Sequence, residues 1–212
     1  MKVILINPNS TEAMTLSSIE TAQKVAPEIH FEGWTSFDGP SSIQGPEDGD
    51  YATRPLLELI KKANKEKPSG IIISCFDDTG LQQAREISLC PVLGIGEASF
   101  IFSNLHAGQT AIITTVYEAV PVIERNIENS GYQNQISEVI AADVQVLELE
   151  FNPAKSALKF AHAAKFLKPN TQNIILGCAG AVGIKDEFES ITGYRAFDGV
   201  TSAAKLLSLI HI

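Results

Sequence analysis

Two cysteines at matching positions of a repeated pattern are the residues best suited to chemistry. Cys75 follows the apolar run 71–73 and a serine, and Cys178 follows the apolar run 174–176 and a glycine. A thiolate can remove a proton from carbon, and a thiol can return one. Because both positions carry this group, the pair suits proton transfer to and from the two faces of one carbon atom.

The segments around these cysteines predict a parallel α/β architecture. Short β-branched runs alternate with longer segments of helical spacing, which is typical of βαβ units. The runs that we predict as strands are 3–6, 71–74, 111–115 and 174–176, and those that we predict as helices are 11–25, 56–64, 81–87, 118–129, 157–166 and 203–209. No linker rich in proline or serine divides them.

A constant offset indicates that the chain consists of two related halves. The offset of 103 residues from Cys75 to Cys178 also takes Gly96 to Gly199. A similar offset takes segment 4–7 to segment 112–115. In each half a first strand ends in small polar groups and a later strand ends in cysteine. Since ligands of parallel sheets lie beyond the carboxyl ends of the strands, we expect both cysteines to face one cleft.

The polar segment after the first predicted strand, 7–11 (Asn-Pro-Asn-Ser-Thr), has two interpretations. Asn9 and the glutamate three positions later have the spacing of a capping box, which favours a simple helix start. Alternatively, Asn9 and Ser10 donate hydrogen bonds to a carbonyl oxygen or a carboxylate at the positive end of the helix. Thr114 and Thr115 occupy the corresponding strand end of the second half.

The segment 74–80 (Ser-Cys-Phe-Asp-Asp-Thr-Gly) joins a buried strand to a helix that begins near Leu81. Asp78 or Thr79 can serve as the N-cap of that helix. We expect the helix N-terminus to favour the thiolate of Cys75, which supports a catalytic role. The alternative is a structural cysteine, which is more often found inside an apolar run.

Glycines flank the second cysteine, in the segment 177–181 (Gly-Cys-Ala-Gly-Ala). They allow a ligand to approach the backbone closely. The alternative is a tight turn with an incidental buried thiol, because cysteine is among the most buried residue types. The matching position of Cys75 favours a catalytic role for Cys178. The third cysteine, Cys90, has no counterpart in the other half and is interpreted as a packing residue.

The segment 39–45 (Gly-Pro-Ser-Ser-Ile-Gln-Gly) is rich in residues that favour turns. A long polar loop also often carries substrate contacts. Both interpretations stay open.

Composition and charge exclude several classes of partner. The 212 residues carry a net charge of −9 and no dense cluster of lysine or arginine, so we expect no nucleic-acid partner. The apolar runs are too short to span a membrane, and the first residues lack the pattern of a signal peptide, so we expect a cytoplasmic protein without membrane contact. The three cysteines form no CxxC pair, and a reducing compartment disfavours disulfides.

The sequence contains no motif that predicts a metal ion or a cofactor. The four histidines, His30, His106, His162 and His211, share no metal-ligand spacing. The segment 94–96 (Gly-Ile-Gly) lacks the third glycine of the dinucleotide fingerprint. We therefore expect chemistry that uses neither.

These motifs resemble hydantoin and allantoin racemases of the Asp/Glu racemase superfamily, and the resemblance runs almost from end to end. It covers the segments 7–11, 39–43, 75–76, 80–81, 84–86, 91–98, 114–115, 176–180 and 198–200. Two places depart from the family pattern. Ala181 stands where relatives commonly have methionine, and the segment 76–79 replaces commoner glycine and proline variants. These departures bear on the identity of the substrate.

The resemblance implies an α/β protein of two pseudo-symmetric lobes, each a mostly parallel four-stranded sheet flanked by helices, with the active site in the cleft between them. It implies a first lobe of residues 1–96 plus 198–212 and a second lobe of residues 97–197. Cys75 and Cys178 are then the catalytic residues. The candidate substrate-binding residues are Asn9, Ser10, Ser42, Ile43, Ser74, Phe76, Asp77, Thr114, Thr115, Gly177, Ala179 and Gly180.

The implied activity is that of a cofactor-independent racemase, an isomerase that transfers protons between two thiols and 5-substituted hydantoins or allantoin. We also expect a homo-oligomer that acts on a small molecule. One alternative is a related amino-acid racemase, decarboxylase or cis-trans isomerase of the same superfamily, although a decarboxylase needs only one proton donor. The other is a non-catalytic small-molecule-binding protein that keeps the cleft without turnover.

Overall fold

The computed structural model describes residues 1–210 and contains two four-stranded sheets, each parallel throughout. The first sheet has the order β2-β1-β3-β4, from β1 (Lys2–Asn7), β2 (His30–Thr35), β3 (Gly70–Ile73) and β4 (Val92–Gly94). The second has the order β6-β5-β7-β8, from β5 (Gln109–Thr114), β6 (Ile136–Ala141), β7 (Thr171–Gly177) and β8 (Arg195–Asp198). Because the two orders are equivalent, the prediction of two related α/β halves is confirmed.

Helices connect the strands of both sheets. They are α1 (Glu12–Val25), α2 (Pro46–Glu66), α3 (Leu81–Ile87), α4 (Ile95–Ser103), α5 (Val120–Asn129), α6 (Glu148–Phe151), α7 (Pro153–Ala163), α8 (Lys185–Thr192) and α9 (Gly199–Ile210), with short 3-10 turns at Tyr117–Ala119, Ala164–Phe166 and Ala179–Gly183. Within residues 1–210, none of these helices is long and apolar enough to cross a membrane. His211 and the last residue of the predicted first lobe, Ile212, lie outside the described residues.

The central strands of the two sheets determine where Cys75 and Cys178 lie. Strands β1, β3, β5 and β7 are almost completely buried, because helices cover both faces of each sheet. Ile6 of β1 pairs with Ile73 of β3, and Thr114 of β5 pairs with Gly177 of β7. The residues that follow these pairs therefore emerge side by side at the carboxyl edge of each sheet.

The last helix, α9, packs against α1 and α4 and also against β3 of the first sheet. The Leu207 side chain lies over Gly70, where an added Cβ would be 3.1 Å from it. One core of buried side chains includes Leu5 and Ile72 of the first sheet and Leu176 of the second, so the halves share packing. The boundaries predicted for the lobes fall inside α4 and β8, and that division stays a prediction.

Candidate active site

Cys75 and Cys178 line the same cleft, and both thiols are free and buried. The cleft lies beyond the carboxyl ends of β3 and β7 and contains about 350 Å³ of empty space, its open mouth included. The other predicted residues that line it are Asn9, Ile43, Ser74, Phe76, Asp77, Thr115, Gly177 and Ala179. The structure thus brings together residues from five separate segments of the chain.

Four predicted binding residues are not part of the cleft lining: Ser10, Ser42, Thr114 and Gly180. Ser10 donates its hydroxyl hydrogen bond to the carbonyl oxygen of Pro40, at 3.2 Å. Thr114 is buried and donates to the carbonyl oxygen of Gly177, at 2.9 Å. These contacts connect the segments that carry the lining residues. Ser10 and Thr114 therefore help to position the cleft.

Three lining residues were missed by the sequence interpretation: Met14, Ala119 and Val146. Met14 lies in the first turn of α1, and Ala119 ends the turn that follows β5. Val146 is held through its backbone N–H, which donates to the Gln44 side chain at 2.8 Å. None of these three residues belongs to a motif that the sequence interpretation singled out, so the fold reveals their contribution.

The Asn9 side chain presents an N–H donor to the cleft. Its Oδ1 accepts hydrogen bonds from the Thr11 backbone N–H and from the Asn7 side chain, both at 2.9 Å. Because the Thr11 N–H can only donate, Nδ2 is the atom left for other contacts. Its one hydrogen-bond partner among residues 1–210 is the Met14 sulfur, at 3.5 Å. Thioether sulfur is a weak acceptor, so this donor is available to a ligand oxygen.

The predicted capping box at the start of α1 is wrong. The helix begins at Glu12, Thr11 is its N-cap, and this end has no side-chain cap hydrogen bond. Instead, the Asn9 side chain accepts a hydrogen bond from the backbone N–H of the N-cap residue, Thr11. This contact stabilises a turn in the loop before the helix and does not cap the helix.

The Asp78 carboxylate connects the loop after β3, residues 74–80 (the Cys75 loop), to the first turn of α4. It accepts hydrogen bonds from the backbone N–H groups of Gly96 at 3.0 Å and Glu97 at 2.7 Å. A Cβ at Gly94 or Gly96 would collide with this carboxylate, so the Gly-Ile-Gly segment makes room for it. The prediction that Asp78 or Thr79 caps α3 is therefore wrong, since Gly80 takes that position without a side-chain cap.

Burial raises the pKa values of both cleft thiols. Burial raises the pKa of the Cys75 thiol, and the nearby Asp77 charge adds to the effect, while the Thr79 hydroxyl at 3.4 Å lowers it. Burial raises the pKa of Cys178 to about 12, against the lowering effect of the Gly180 backbone N–H. Desolvation opposes the stabilisation of the Cys75 thiolate that the sequence predicts from a helix N-terminus, and the net shift of the Cys75 pKa is upward.

Asp77 places a carboxyl group in the cleft lining. The residue as a whole is half-buried, but its Oδ2 atom is buried and has no hydrogen-bond partner among residues 1–210. Burial raises the pKa of Asp77 to about 7. Its backbone carbonyl oxygen accepts a 2.8 Å hydrogen bond from the Asn126 side chain of α5, so the second half of the chain holds this residue in place.

Cys90 lies away from the cleft, as the sequence predicts. It is half-buried, packs against core residues of the first sheet and has its sulfur 3.6 Å from the Ser88 hydroxyl. Within residues 1–210 the structure contains no group of three or more histidine, cysteine, aspartate or glutamate side chains placed to hold a metal ion.

Comparison with known proteins identifies the family. Residues 3–207 match the family model described as Asp/Glu/Hydantoin racemase. The chain belongs to this family. It is 34% identical to the hydantoin racemase of Rhizobium meliloti over 210 residues, which cover 97% of this chain and 87% of that protein. It is 30% identical to the hydantoin racemase of Pseudomonas sp. (strain NS671), over 99% of this chain and 86% of that protein.

A solved structure extends the comparison to the fold. The allantoin racemase from Klebsiella pneumoniae superposes with a TM-score of 0.93 at 28% sequence identity, covering 100% of this chain and 87% of that one. The predicted family and the predicted fold class are therefore confirmed. The relatives also confirm the predicted enzyme class, a racemase and hence an isomerase.

Proposed function

We propose that the protein racemises 5-substituted hydantoins or allantoin, with Cys75 and Cys178 as the two acid/base groups. One observation carries this proposal: the two thiols follow equivalent strands of the two halves and line the same cleft. Racemisation requires a proton to leave one face of a carbon and another to arrive at the opposite face, and a pair of thiols provides both groups.

The reaction balances with these two groups alone. One sulfur, as thiolate, takes the proton from C5 of the hydantoin ring, and the electron pair of that C–H bond moves toward the neighbouring carbonyl oxygen. The other thiol then gives its proton to the opposite face of C5, and its sulfur becomes the thiolate. The two cysteines have exchanged protonation states, so the enzyme is ready to convert the other enantiomer.

Asn9 is suited to stabilise the enolate oxygen of the intermediate. Its Nδ2 is the donor that the surrounding hydrogen bonds leave free. A donor that is fixed before the reaction strengthens its bond as charge develops, and one such donor contributes about 100-fold in rate. Thr115, from the second half of the chain, lines the same cleft, and its hydroxyl can also donate a hydrogen bond to the enolate oxygen.

The polar lining favours a neutral cyclic urea over an amino acid. The lining residues offer amide, hydroxyl and thiol groups together with the carboxyl group of Asp77. An ionised carboxylate in the lining repels the carboxylate of an amino-acid substrate, whereas the neutral ring of a hydantoin meets no such repulsion. This argument supports hydantoins or allantoin as the substrate class.

The test is isotope exchange coupled to loss of optical rotation. A single enantiomer of a 5-substituted hydantoin or of allantoin is incubated with the protein in deuterated water, with a blank without protein subtracted. We expect the rotation to vanish while deuterium enters at C5. Rotation that stays constant across the substrate panel contradicts the proposed function.

Cysteine variants test the assignment of the two acid/base groups. Cys75→Ser and Cys178→Ser should each lower the rate of racemisation by about 100-fold or more, because serine is a far weaker acid than cysteine. Cys90→Ser is the matched control, since Cys90 lies outside the cleft, and it should keep the wild-type rate. Racemisation at the wild-type rate by either cleft variant contradicts the two-thiol mechanism.

The partner class that the relatives support is a small molecule. The cytoplasmic location and the homo-oligomeric state expected from the sequence stay predictions.

A further inference from the structure

We propose that Asp77 makes the cleft select hydantoins whose 5-substituent donates hydrogen bonds, above all the ureido group of allantoin. This inference rests on the proposed function and deepens it, because it chooses between the two substrate classes. It starts from one observation: Oδ2 of Asp77 is a buried polar atom in the cleft lining that has no hydrogen-bond partner among residues 1–210.

A buried carboxyl oxygen without a partner is costly, and buried polar groups are almost always hydrogen-bonded. Above about pH 7 the Asp77 carboxyl group is ionised, and its missing partner must then be a donor, because an ionised carboxylate can only accept. The hydrogen bond from Asn126 to the Asp77 carbonyl fixes the backbone, so the side chain keeps its place beside the two cysteines. A ligand in the cleft is thus the natural source of the donor.

Asp77 lies close to the reacting groups. It lines the same cleft as both sulfurs and follows Cys75 by two positions, and its charge raises the pKa values of both thiols. The carbon from which a proton is removed must lie between those sulfurs. The substituent on that carbon, rather than the far side of the ring, therefore comes within reach of the Asp77 carboxylate.

The ureido group matches a carboxylate in geometry. Its terminal NH2 and inner N–H point the same way and can donate two parallel hydrogen bonds to the two carboxylate oxygens, as a guanidinium group does. An alkyl substituent leaves the carboxylate buried and unpaired. A substituent that is itself a carboxylate also leaves Asp77 without a donor, and its negative charge repels that of Asp77.

Pairing with a donor also assists the chemistry. An unpaired Asp77 charge disfavours the thiolate at both cysteines, and N–H groups placed against it weaken its field. A substrate with a donor-bearing substituent therefore binds more tightly and makes the thiolate base easier to form. The preference should appear in both KM and kcat.

The first experiment uses the wild-type protein at about pH 8, where Asp77 is mostly ionised, and three hydantoins that differ at C5. Allantoin carries a donor substituent, 5-propylhydantoin carries an apolar one of similar length, and hydantoin-5-acetic acid carries an anionic one. We expect kcat/KM for racemisation to fall in that order, with allantoin at least about 10-fold above 5-propylhydantoin. An equal or reversed order of the first two overturns the inference, and this measurement does not depend on any variant folding.

The second experiment compares two variants that lose one carboxylate each. Asp77→Asn keeps the size of the side chain, and we expect the ratio of kcat/KM for allantoin to that for 5-propylhydantoin to fall at least about 10-fold. The rate on 5-propylhydantoin should rise, because the charge that opposes the thiolates is gone. Asp38→Asn removes the same charge from an exposed residue and should leave the ratio unchanged.

The outcomes separate this inference from the proposed function. If the protein racemises both substrates and Asp77→Asn leaves their ratio unchanged, the inference fails and the racemase function stands. If the protein racemises none of the three hydantoins, the proposed function itself fails.

Discussion

The hydroxyl of Thr79 lies 3.4 Å from the sulfur of Cys75, and both residues are buried. This contact lowers the pKa of the thiol, in opposition to burial and the charge of Asp77. A hydroxyl that donates to a developing thiolate stabilises it in a site where water has little access. Thr79 therefore makes the thiolate of Cys75 easier to form, which makes Cys75 a better base.

Replacement of Thr79 should weaken Cys75 as a base. Thr79→Val keeps the shape but loses the donor, and we expect kcat/KM to fall about 10-fold, while Thr79→Ser keeps most of the activity. The direct measurement is the rate of alkylation of Cys75 by iodoacetamide as a function of pH, followed by mass spectrometry. The valine variant should need a higher pH for the same rate. Identical pH profiles for the two variants would show that the hydroxyl does not act on the sulfur.

Asn9 provides a separate test of the carbonyl-binding group. Asn9→Asp keeps the oxygen that accepts from Thr11 but removes the Nδ2 donor, and we expect kcat/KM to fall by about 100-fold. Asn134→Asp makes the same chemical change at an exposed residue and is the control. Steady-state kinetics on allantoin measure the effect. A loss confined to KM would mean that Asn9 binds the ground state and the enolate equally well.

The link between the Cys75 loop and α4 should be sensitive to a single methyl group. In Gly94→Ala the new Cβ meets the Asp78 carboxylate and comes within 3.0 Å of the Leu81 side chain, and we expect a loss of roughly 1 to 3 kcal/mol in unfolding free energy. Gly183→Ala is the control, because an added Cβ there has no neighbour within 4 Å in the described part of the chain. Urea denaturation compares the two variants. Equal stability would contradict the packing role of Gly94.

The sequence predicts the central strands of both sheets but not the edge strands. The central strands β1, β3, β5 and β7 are buried on both faces and therefore form continuous apolar runs, which are easy to recognise. The strands that were not predicted, β2, β4, β6 and β8, all lie at sheet edges. There β2 and β6 are partly exposed, and β4 and β8 have only three or four residues, so no clear pattern develops.

The site shows the same division between local and long-range information. The repeat in the sequence located Cys75 and Cys178, because the duplicated strand ends are a local pattern. The partners of Asp78 could not be found in this way, since Gly96 and Glu97 lie 18 and 19 residues further along the chain and meet it only after folding. The raised pKa values of the thiols likewise depend on burial by distant segments.

Asp77 should make the stability of the protein depend on pH. In the folded protein Asp77 has a pKa of about 7, whereas in the unfolded chain an aspartate has a pKa near 4. Between these values the folded state binds more protons than the unfolded state. Its unfolding free energy therefore falls as the pH rises, with the contribution of Asp77 fully present below about pH 4 and lost through about pH 7.

Asp77→Asn removes this titration, so the stability of the variant relative to wild type should increase by about 2 to 4 kcal/mol between pH 4 and pH 8. Urea denaturation of both proteins across this range, with Asp38→Asn as the control, measures the difference. Parallel stability curves would mean that Asp77 titrates alike in the folded and unfolded states. A stabilising variant that loses its preference for allantoin would identify the buried carboxylate as a group kept for substrate selection at the expense of stability.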